Sequence, residues 1–206
     1  MAEGKRSFRE FWSALWQKPR RWWWLGIPLG GILMLTGGAV LMGGFIAAVE
    51  LSSTETFCIS CHEMRDNVYV EYQKTIHYSN RSGVRATCAD CHVPGPWIPK
   101  LIRKVGATFK EVPNHFLGKI NTREKFEAHR AEMAQIVWDA MKANDSRECR
   151  NCHELAHMDL ERQDKSARRK HTLEYQLEKG ETCIDCHQGI AHELPKDPPE
   201  VATGSP

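Results

Sequence analysis

Residues Cys58-Ile59-Ser60-Cys61-His62-Glu63-Met64 contain a Cys-x-x-Cys-His core that occurs four times in the chain. The four cysteine pairs are Cys58/Cys61, Cys88/Cys91, Cys149/Cys152 and Cys183/Cys186, and the histidines that close them are His62, His92, His153 and His187. This string is an attachment site for c-type haem: two thiols bond to the porphyrin, and the adjacent histidine is an axial ligand of the iron. Four copies predict four covalently bound haem c groups.

Other uses of paired cysteines fit this pattern less well. The four motifs use all 8 cysteines. A structural zinc site does not require a histidine directly after each pair. A thioredoxin-like site has one such pair in a βαβ context. A disulfide framework would not keep a uniform two-residue gap, so haem attachment is the favoured interpretation.

The overall charge says little about partners. The chain has 206 residues, a formal net charge of +2 and a pI near 8.1. Eight haem propionates would make the loaded protein more acidic than this. The basic residues do not form a nucleic-acid-binding pattern, which excludes that class of partner.

An uncharged run precedes the first motif. None of the 28 residues from 22 to 49 has a charged side chain, and a membrane-spanning helix needs only roughly 20 such residues. The run exceeds the core of a cleaved signal peptide, so we expect a permanent anchor in the lipid bilayer. Trp22, Trp23 and Trp24 suit a membrane interface, and the basic residues 1–21 predict a cytoplasmic N-terminus. The expected location is the bacterial inner membrane, crossed once, with the haem domain in the periplasm.

The exported part shows an internal repeat. In one half a lone histidine, His77, stands between the first two motifs, and in the other half His171 stands between the last two, at similar spacings. This predicts two duplicated dihaem halves within residues 50–194. The predicted fold is mainly α with much irregular structure, because porphyrins would fill much of the interior.

Two longer helices are predicted from periodicity. One carries apolar residues at helical spacing from Ile98 to Val112, after a proline-rich loop. The other runs from about Thr122 to Ala143 and joins the two halves. The composition of residues 195–206 predicts a disordered tail.

Six histidines outside the motifs are candidates for the second axial ligands of the irons. The repeat favours His77 and His171. His192 follows His187 by five residues, too few to reach the other face of the same iron, so we expect it to serve a neighbouring haem. For His115, His129 and His157 a surface role is the better interpretation, with His115 and His129 held in reserve. Met64 is either a ligand of the first haem or a flexible core residue.

With these residues in place, the chain resembles the NapC/NirT family of membrane-anchored tetrahaem quinol dehydrogenases. The resemblance covers nearly the whole chain. Besides the N-terminal anchor it rests on Cys58-Ile-Ser-Cys-His-Glu-Met-Arg, Asn80-Arg-Ser-Gly-Val-Arg-Ala-Thr-Cys, Cys91-His-Val-Pro, Lys125-Phe-Glu-Ala-His-Arg, Glu148-Cys-Arg-Asn-Cys-His and Thr182-Cys-Ile-Asp-Cys-His-Gln-Gly-Ile-Ala-His.

The resemblance implies a set of axial ligands. Met64 would ligate haem 1, His77 would be the distal ligand of haem 4 and His192 that of haem 3, which leaves His171 for haem 2. Gly95 stands where some family members have a histidine. This departure favours a haem 1 with methionine or an open position.

The resemblance also implies a quinol site at Lys104 and Glu111, which lie seven residues apart on one helix face. A carboxylate can accept a proton from quinol while a cation stabilises the developing quinolate. The alternative is a solvated charged face without a ligand.

The implied function is electron transfer from membrane quinol to a periplasmic reductase. The expected acceptor is nitrate reductase with its small cytochrome subunit, in anaerobic nitrate respiration. A nitrite or other periplasmic reductase is the alternative acceptor. Two further alternatives are a terminal reductase with an open iron and a passive electron store without a quinol site.

Overall fold

The computed structural model describes residues 7–17 and 27–196, and the chain divides into two compact units, Met1–Leu51 and Ser52–Pro206. Among the described residues every regular element is a helix, there is no strand, and turns and loops connect the helices. The prediction of a mainly α fold with much irregular structure is therefore confirmed. The predicted tail falls almost wholly outside the described residues.

The described residues of the first unit form two helices. Helix α1, Phe8–Leu15, begins after Ser7, whose backbone N–H donates to Glu10 Oε2 at 2.9 Å. Helix α2, Leu29–Leu51, has 23 residues and a mean hydropathy of 2.1, which is long and apolar enough to span a bilayer. The end of α1 lies close to the start of α2. A Cβ added to Gly30 would stand only 3.0 Å from the Leu15 carbonyl oxygen.

The spanning helix differs in its bounds from the predicted run of residues 22–49. It begins after Pro28, whose carbonyl accepts the Gly31 N–H at 2.9 Å, and it continues to Leu51. Proline suits this starting position because its missing N–H is not needed there. Trp22, Trp23 and Trp24 lie outside the described residues.

The second unit is built from short helices around two long ones. The short α-helices are α3 Glu55–Cys58, α4 Val70–Tyr72, α5 Cys88–His92, α8 Arg147–Arg150, α9 Lys165–Lys170, α10 Leu173–Lys179 and α11 Cys183–Cys186. A π-helical turn, Met64–Tyr69, precedes α4, and two 3₁₀ turns, Leu155–His157 and Leu160–Arg162, follow α8.

Both long helices agree with the predicted segments. Helix α6, Trp97–Phe116, starts after Pro96, and helix α7, Arg123–Ala143, starts after Thr122. The Thr122 hydroxyl oxygen accepts the Lys125 N–H at 3.3 Å, as an N-cap does. Helix α7 ends just before the third motif. It therefore connects the half that contains the first two motifs to the half that contains the last two.

Side chains alone bury little apolar surface in the second unit. Its fully buried apolar residues, among those described, are Tyr72, Phe126 and Ile184. Several buried positions are polar or charged instead: Glu63, Asn67, Glu71, Arg130, Ser146 and Glu148. This interior suits a fold organised around large prosthetic groups and a few buried hydrogen-bond networks.

One buried network joins distant parts of the chain. Arg130 of α7 makes a bidentate ion pair with Glu71 of α4, at 3.0 and 2.6 Å. Glu71 Oε2 also accepts the backbone N–H of Glu193 at 2.9 Å, and Arg130 donates to the Glu193 carbonyl at 3.2 Å. The segment after the fourth motif is therefore fixed beside the end of the first.

Candidate haem centres

The second and fourth motifs have the same local structure. In each, a threonine precedes a short helix that contains both cysteines, and an aspartate lies three residues later. Thr87 donates its backbone N–H and hydroxyl to Asp90 Oδ2 at 2.6 and 2.7 Å. Thr182 does the same with Asp185 at 2.8 and 2.9 Å. This reciprocal cap fixes the helical turn that places both thiols.

The first and third motifs use other caps. The Thr54 hydroxyl oxygen accepts the Phe57 N–H at 3.3 Å at the start of α3. Ser146 precedes α8 in a left-handed conformation, with φ 48° and a relative exposure of 0%. The cap shared by motifs two and four is consistent with the predicted duplication, which stays a prediction.

The two cysteines of the third motif differ in their surroundings. Helix α8 ends at Arg150, so it contains Cys149 but not Cys152. In the turn that follows, the Cys152 N–H donates to the Cys149 carbonyl at 3.2 Å. Cys152 is exposed whereas Cys149 is half-buried. Cys186 of the fourth motif, which lies within its helix, is exposed as well. Haem attachment at each of the eight cysteines stays a prediction.

The four motifs follow one another in space in their chain order. Helix α3 contacts α5, and a hydrogen bond from the Cys88 thiol lowers the pKa of Cys58 to about 7. Helix α5 contacts α8, and burial together with the nearby Cys149 raises the pKa of Cys91 to about 11. Ser146, beside the third motif, accepts the N–H of Ile184 in the fourth at 3.1 Å.

Each motif histidine faces a second histidine ring. The centroid distances are 6.2 Å for His62 and His115, 6.1 Å for His77 and His153, 6.1 Å for His92 and His192, and 5.8 Å for His171 and His187. Two imidazoles bound to opposite faces of one iron have centroids roughly 6 Å apart, since each metal–nitrogen bond is about 2 Å. The ring pairs therefore fit four six-coordinate haems.

The protonation of these rings also suits iron binding, which requires neutral imidazole. Removal from water, with the neighbouring His192, lowers the pKa of His92 to about 4. Burial also lowers the pKa values of His187 and His192. His171 Nδ1 lies 2.6 Å from Gln163 Oε1, a contact that places its proton on Nδ1 and leaves Nε2 as the donor atom. Thiol pairs and facing imidazoles together define a multihaem c-type cytochrome.

The pairing of the rings differs from the one that the resemblance implied. His77 faces the third motif rather than the fourth, and His192 faces the second rather than the third. His171 faces the fourth motif rather than the second. For His192 the physical reason is the buried network of Arg130 and Glu71, which holds Glu193, and with it His192, beside the first half.

The surroundings of the first motif contain a residue that sequence reasoning left in reserve. His115, near the end of α6, faces His62, and its Nδ1 lies 2.7 Å from Glu63 Oε1. Burial by itself would raise the pKa of Glu63. Hydrogen bonds from its own backbone N–H and from His115 lower the pKa by more than burial raises it, so the net shift is downward. Met64 is half-buried at the start of the π-helical turn.

The other two reserve histidines make only local contacts. His129 Nδ1 lies 2.9 Å from the Lys125 carbonyl of the same helix, and His157 Nδ1 lies 2.9 Å from Glu154. Both contacts fit the expected surface role, and neither ring faces a motif histidine.

The expected quinol residues both lie on α6 but contact different groups. Lys104 Nζ donates to Ser52 Oγ at 2.8 Å. Glu111 pairs with Arg103 at 2.6 Å, and both side chains act electrostatically on His92. Glu111 is thus close to the second haem site, whereas Lys104 is tied to the residue that follows α2.

Comparison with known proteins agrees with this geometry. Residues 20–197 match the model of the NapC/NirT cytochrome c family, N-terminal region. "Denitrification system component NirT" of Stutzerimonas stutzeri is 56% identical over 82% of this chain and 83% of its own length. "Cytochrome c-type protein NapC" of Escherichia coli K12 is 51% identical over 90% and 94%, respectively.

A third relative bears on the cofactor. "Putative tetraheme cytochrome-c type" of Allochromatium vinosum is 46% identical over 82% of this chain and 90% of its own length. No solved structure matches the chain. The chain belongs to the NapC/NirT cytochrome c family and is a membrane-anchored electron-transfer cytochrome.

Proposed function

We propose that this protein oxidises quinol at the membrane and passes electrons to a periplasmic reductase, with nitrate reductase and its small cytochrome subunit as the first candidate. The observation that carries the proposal is the row of four Cys-x-x-Cys-His motifs in chain order, each with a facing histidine ring, after one membrane-spanning helix. Bound haem c supplies a one-electron carrier at each of these positions.

The chain's own residues hold these carriers. The eight motif cysteines form the covalent bonds, and the ring pairs His92/His192, His77/His153 and His171/His187 supply axial ligands at the second, third and fourth motifs, respectively. Each of these pairs joins side chains from separate segments, so the folded chain fixes the spacing of the sites.

The quinol end of the protein is at α6. Lys104 is tied to Ser52, the first residue after the spanning helix, so a quinol arriving from the bilayer meets this cation early. The ammonium group stabilises a developing quinolate, and the carboxylate of Glu111, 61% exposed, is able to accept a released proton.

One face of α6 suits contact with lipid. This face carries six apolar side chains that recur every three or four residues and are 47–80% exposed: Ile98, Ile102, Val105, Phe109, Val112 and Phe116. Lys104, Glu111 and His115 lie on a different face of the same helix. A helix with one apolar and one charged face lies in the membrane interface, which supports quinol access from the bilayer.

The acceptor is tested by reconstitution. The purified full chain in liposomes, supplied with ubiquinol or menaquinol, is combined in turn with purified nitrate reductase and with purified nitrite reductase. We expect quinol-dependent turnover with nitrate reductase and none from the cytochrome alone. Turnover of nitrate or nitrite by the isolated cytochrome with a chemical reductant would contradict the proposal and indicate a terminal reductase.

A further inference from the structure

We propose that His115 is the second axial ligand at the first motif, opposite His62, and that Glu63 is its positioning residue. This inference rests on the proposed binding of haem c at residues 58–62. It replaces Met64 by a histidine that the sequence alone did not select, and it makes all four sites alike.

The first observation is the ring geometry. The centroid distance of His62 and His115 is 6.2 Å, close to the 5.8–6.1 Å of the other three pairs. A single spacing shared by four pairs, one at each motif, indicates a single role. His129 and His157 do not show it.

The second observation is the buried carboxylate beside His115. Glu63 has a relative exposure of 2%, and its Oε1 lies 2.7 Å from His115 Nδ1. This contact holds the ring of His115 at the first motif, beside the residue that follows His62.

Glu63 has one further contact with a motif histidine. Its Oε1 is also 3.3 Å from His62 Nε2. The same carboxylate oxygen therefore contacts both rings and holds them together at the first motif. The other oxygen, Oε2, is buried without a hydrogen-bond partner in the described structure. The negative charge stays close to the site and favours oxidised iron.

The local backbone argues against Met64 on the opposite face. Met64 donates its N–H to the Cys61 carbonyl at 3.1 Å, so residues 61–64 form a helical turn. Side chains two positions apart on such a turn do not face each other. The porphyrin bonded to Cys61 would also separate Met64 from the far side. Met64 is thus placed on the same side of the porphyrin as His62 and not on the opposite side.

Spectroscopy of the oxidised holoprotein tests the ligand directly, without quinol. His115→Ala should convert one haem in four to the high-spin form, and added imidazole should return it to low spin. Met64→Leu and the matched control His129→Ala should leave all four low-spin. Four low-spin haems in His115→Ala, or one high-spin haem in Met64→Leu, would overturn the assignment.

Two further variants keep the test decisive where His115→Ala fails to load haem. His115→Met should raise the reduction potential of one haem, because His/Met ligation raises it. Glu63→Gln should also raise one potential while all haems stay low-spin. Four unchanged potentials in His115→Met would overturn the proposal. Because these potentials are measured by titration with a chemical reductant, the result does not depend on whether quinol is the donor.

Discussion

At the scale of single residues, the buried pair of Arg130 and Glu71 connects the segment that carries His192 to the first half of the second unit. Their side chains are 7% and 3% exposed, respectively, and their bonds reach the backbone of Glu193, next to His192. Burial alone would raise the pKa of Glu71, but Arg130 and the Glu193 N–H lower it below its usual value of 4.5. The charge is therefore present whenever the fold is intact near neutral pH.

Glu71→Gln should lower the free energy of unfolding by about 2–3 kcal/mol at pH 7. This is less than the ~3–5 kcal/mol of a fully uncompensated buried charge, because Glu127 still pairs with Arg130. Since the folded pKa lies below the unfolded one, Glu71 stabilises fully above pH 4.5 and loses this effect as pH falls through the folded pKa.

Denaturant titrations between pH 7 and pH 3 check this prediction, with Glu132→Gln on the exposed surface of α7 as the control. The difference between wild type and Glu71→Gln should shrink on acidification. A difference that stays constant across that range would contradict a role for the ionised carboxylate.

At the scale of helices, α6 presents two faces with separate tasks. Its apolar stripe is exposed, and its polar side carries Lys104, Glu111 and His115. Charges introduced into the stripe would be costly to bury in an interface. The two faces can therefore be changed independently.

The double variant Ile102→Glu/Phe109→Glu should slow reduction of the haems by quinol in liposomes several-fold. Reduction by dithionite should stay unchanged, because the haem sites are on the other side of the helix. Ile136→Glu on α7, where the native side chain is 62% exposed, is the matched control. Equal rates in wild type and the double variant would show that the stripe does not meet the bilayer.

Local features of these helices were accessible from the sequence. The periodic apolar residues located α6, and Thr122 located the start of α7. The Cys-x-x-Cys-His strings located the four motif turns. The reciprocal cap of Thr87 and Asp90, repeated at Thr182 and Asp185, is also visible in the sequence as a short spacing.

Long-range pairings were not accessible. His115 lies 53 positions after His62, and no spacing rule joins a helix end to a motif at that distance. The repeat predicted that His77 and His171 are equivalent, but the ring pairs cross between the halves in one case and not in the other. Which histidine meets which motif depends on tertiary contacts such as that of Glu71 with Glu193.

At the scale of the whole molecule, the four motifs form a single row within the second unit. The contacts of α3 with α5, of α5 with α8 and of Ser146 with Ile184 give the motifs one spatial order. Carriers in this order would form the route for the proposed electron transfer through the second unit.

The most direct test is stopped-flow reduction of the haems by a quinol in liposomes, compared with Lys104→Ala of equal haem content. We predict that quinol reduces the haems of the wild-type protein and that Lys104→Ala slows this reaction by at least about tenfold, a typical scale for a group that acts on developing charge. Dithionite should reduce both proteins equally. Wild-type haems that dithionite reduces but quinol does not would contradict the account.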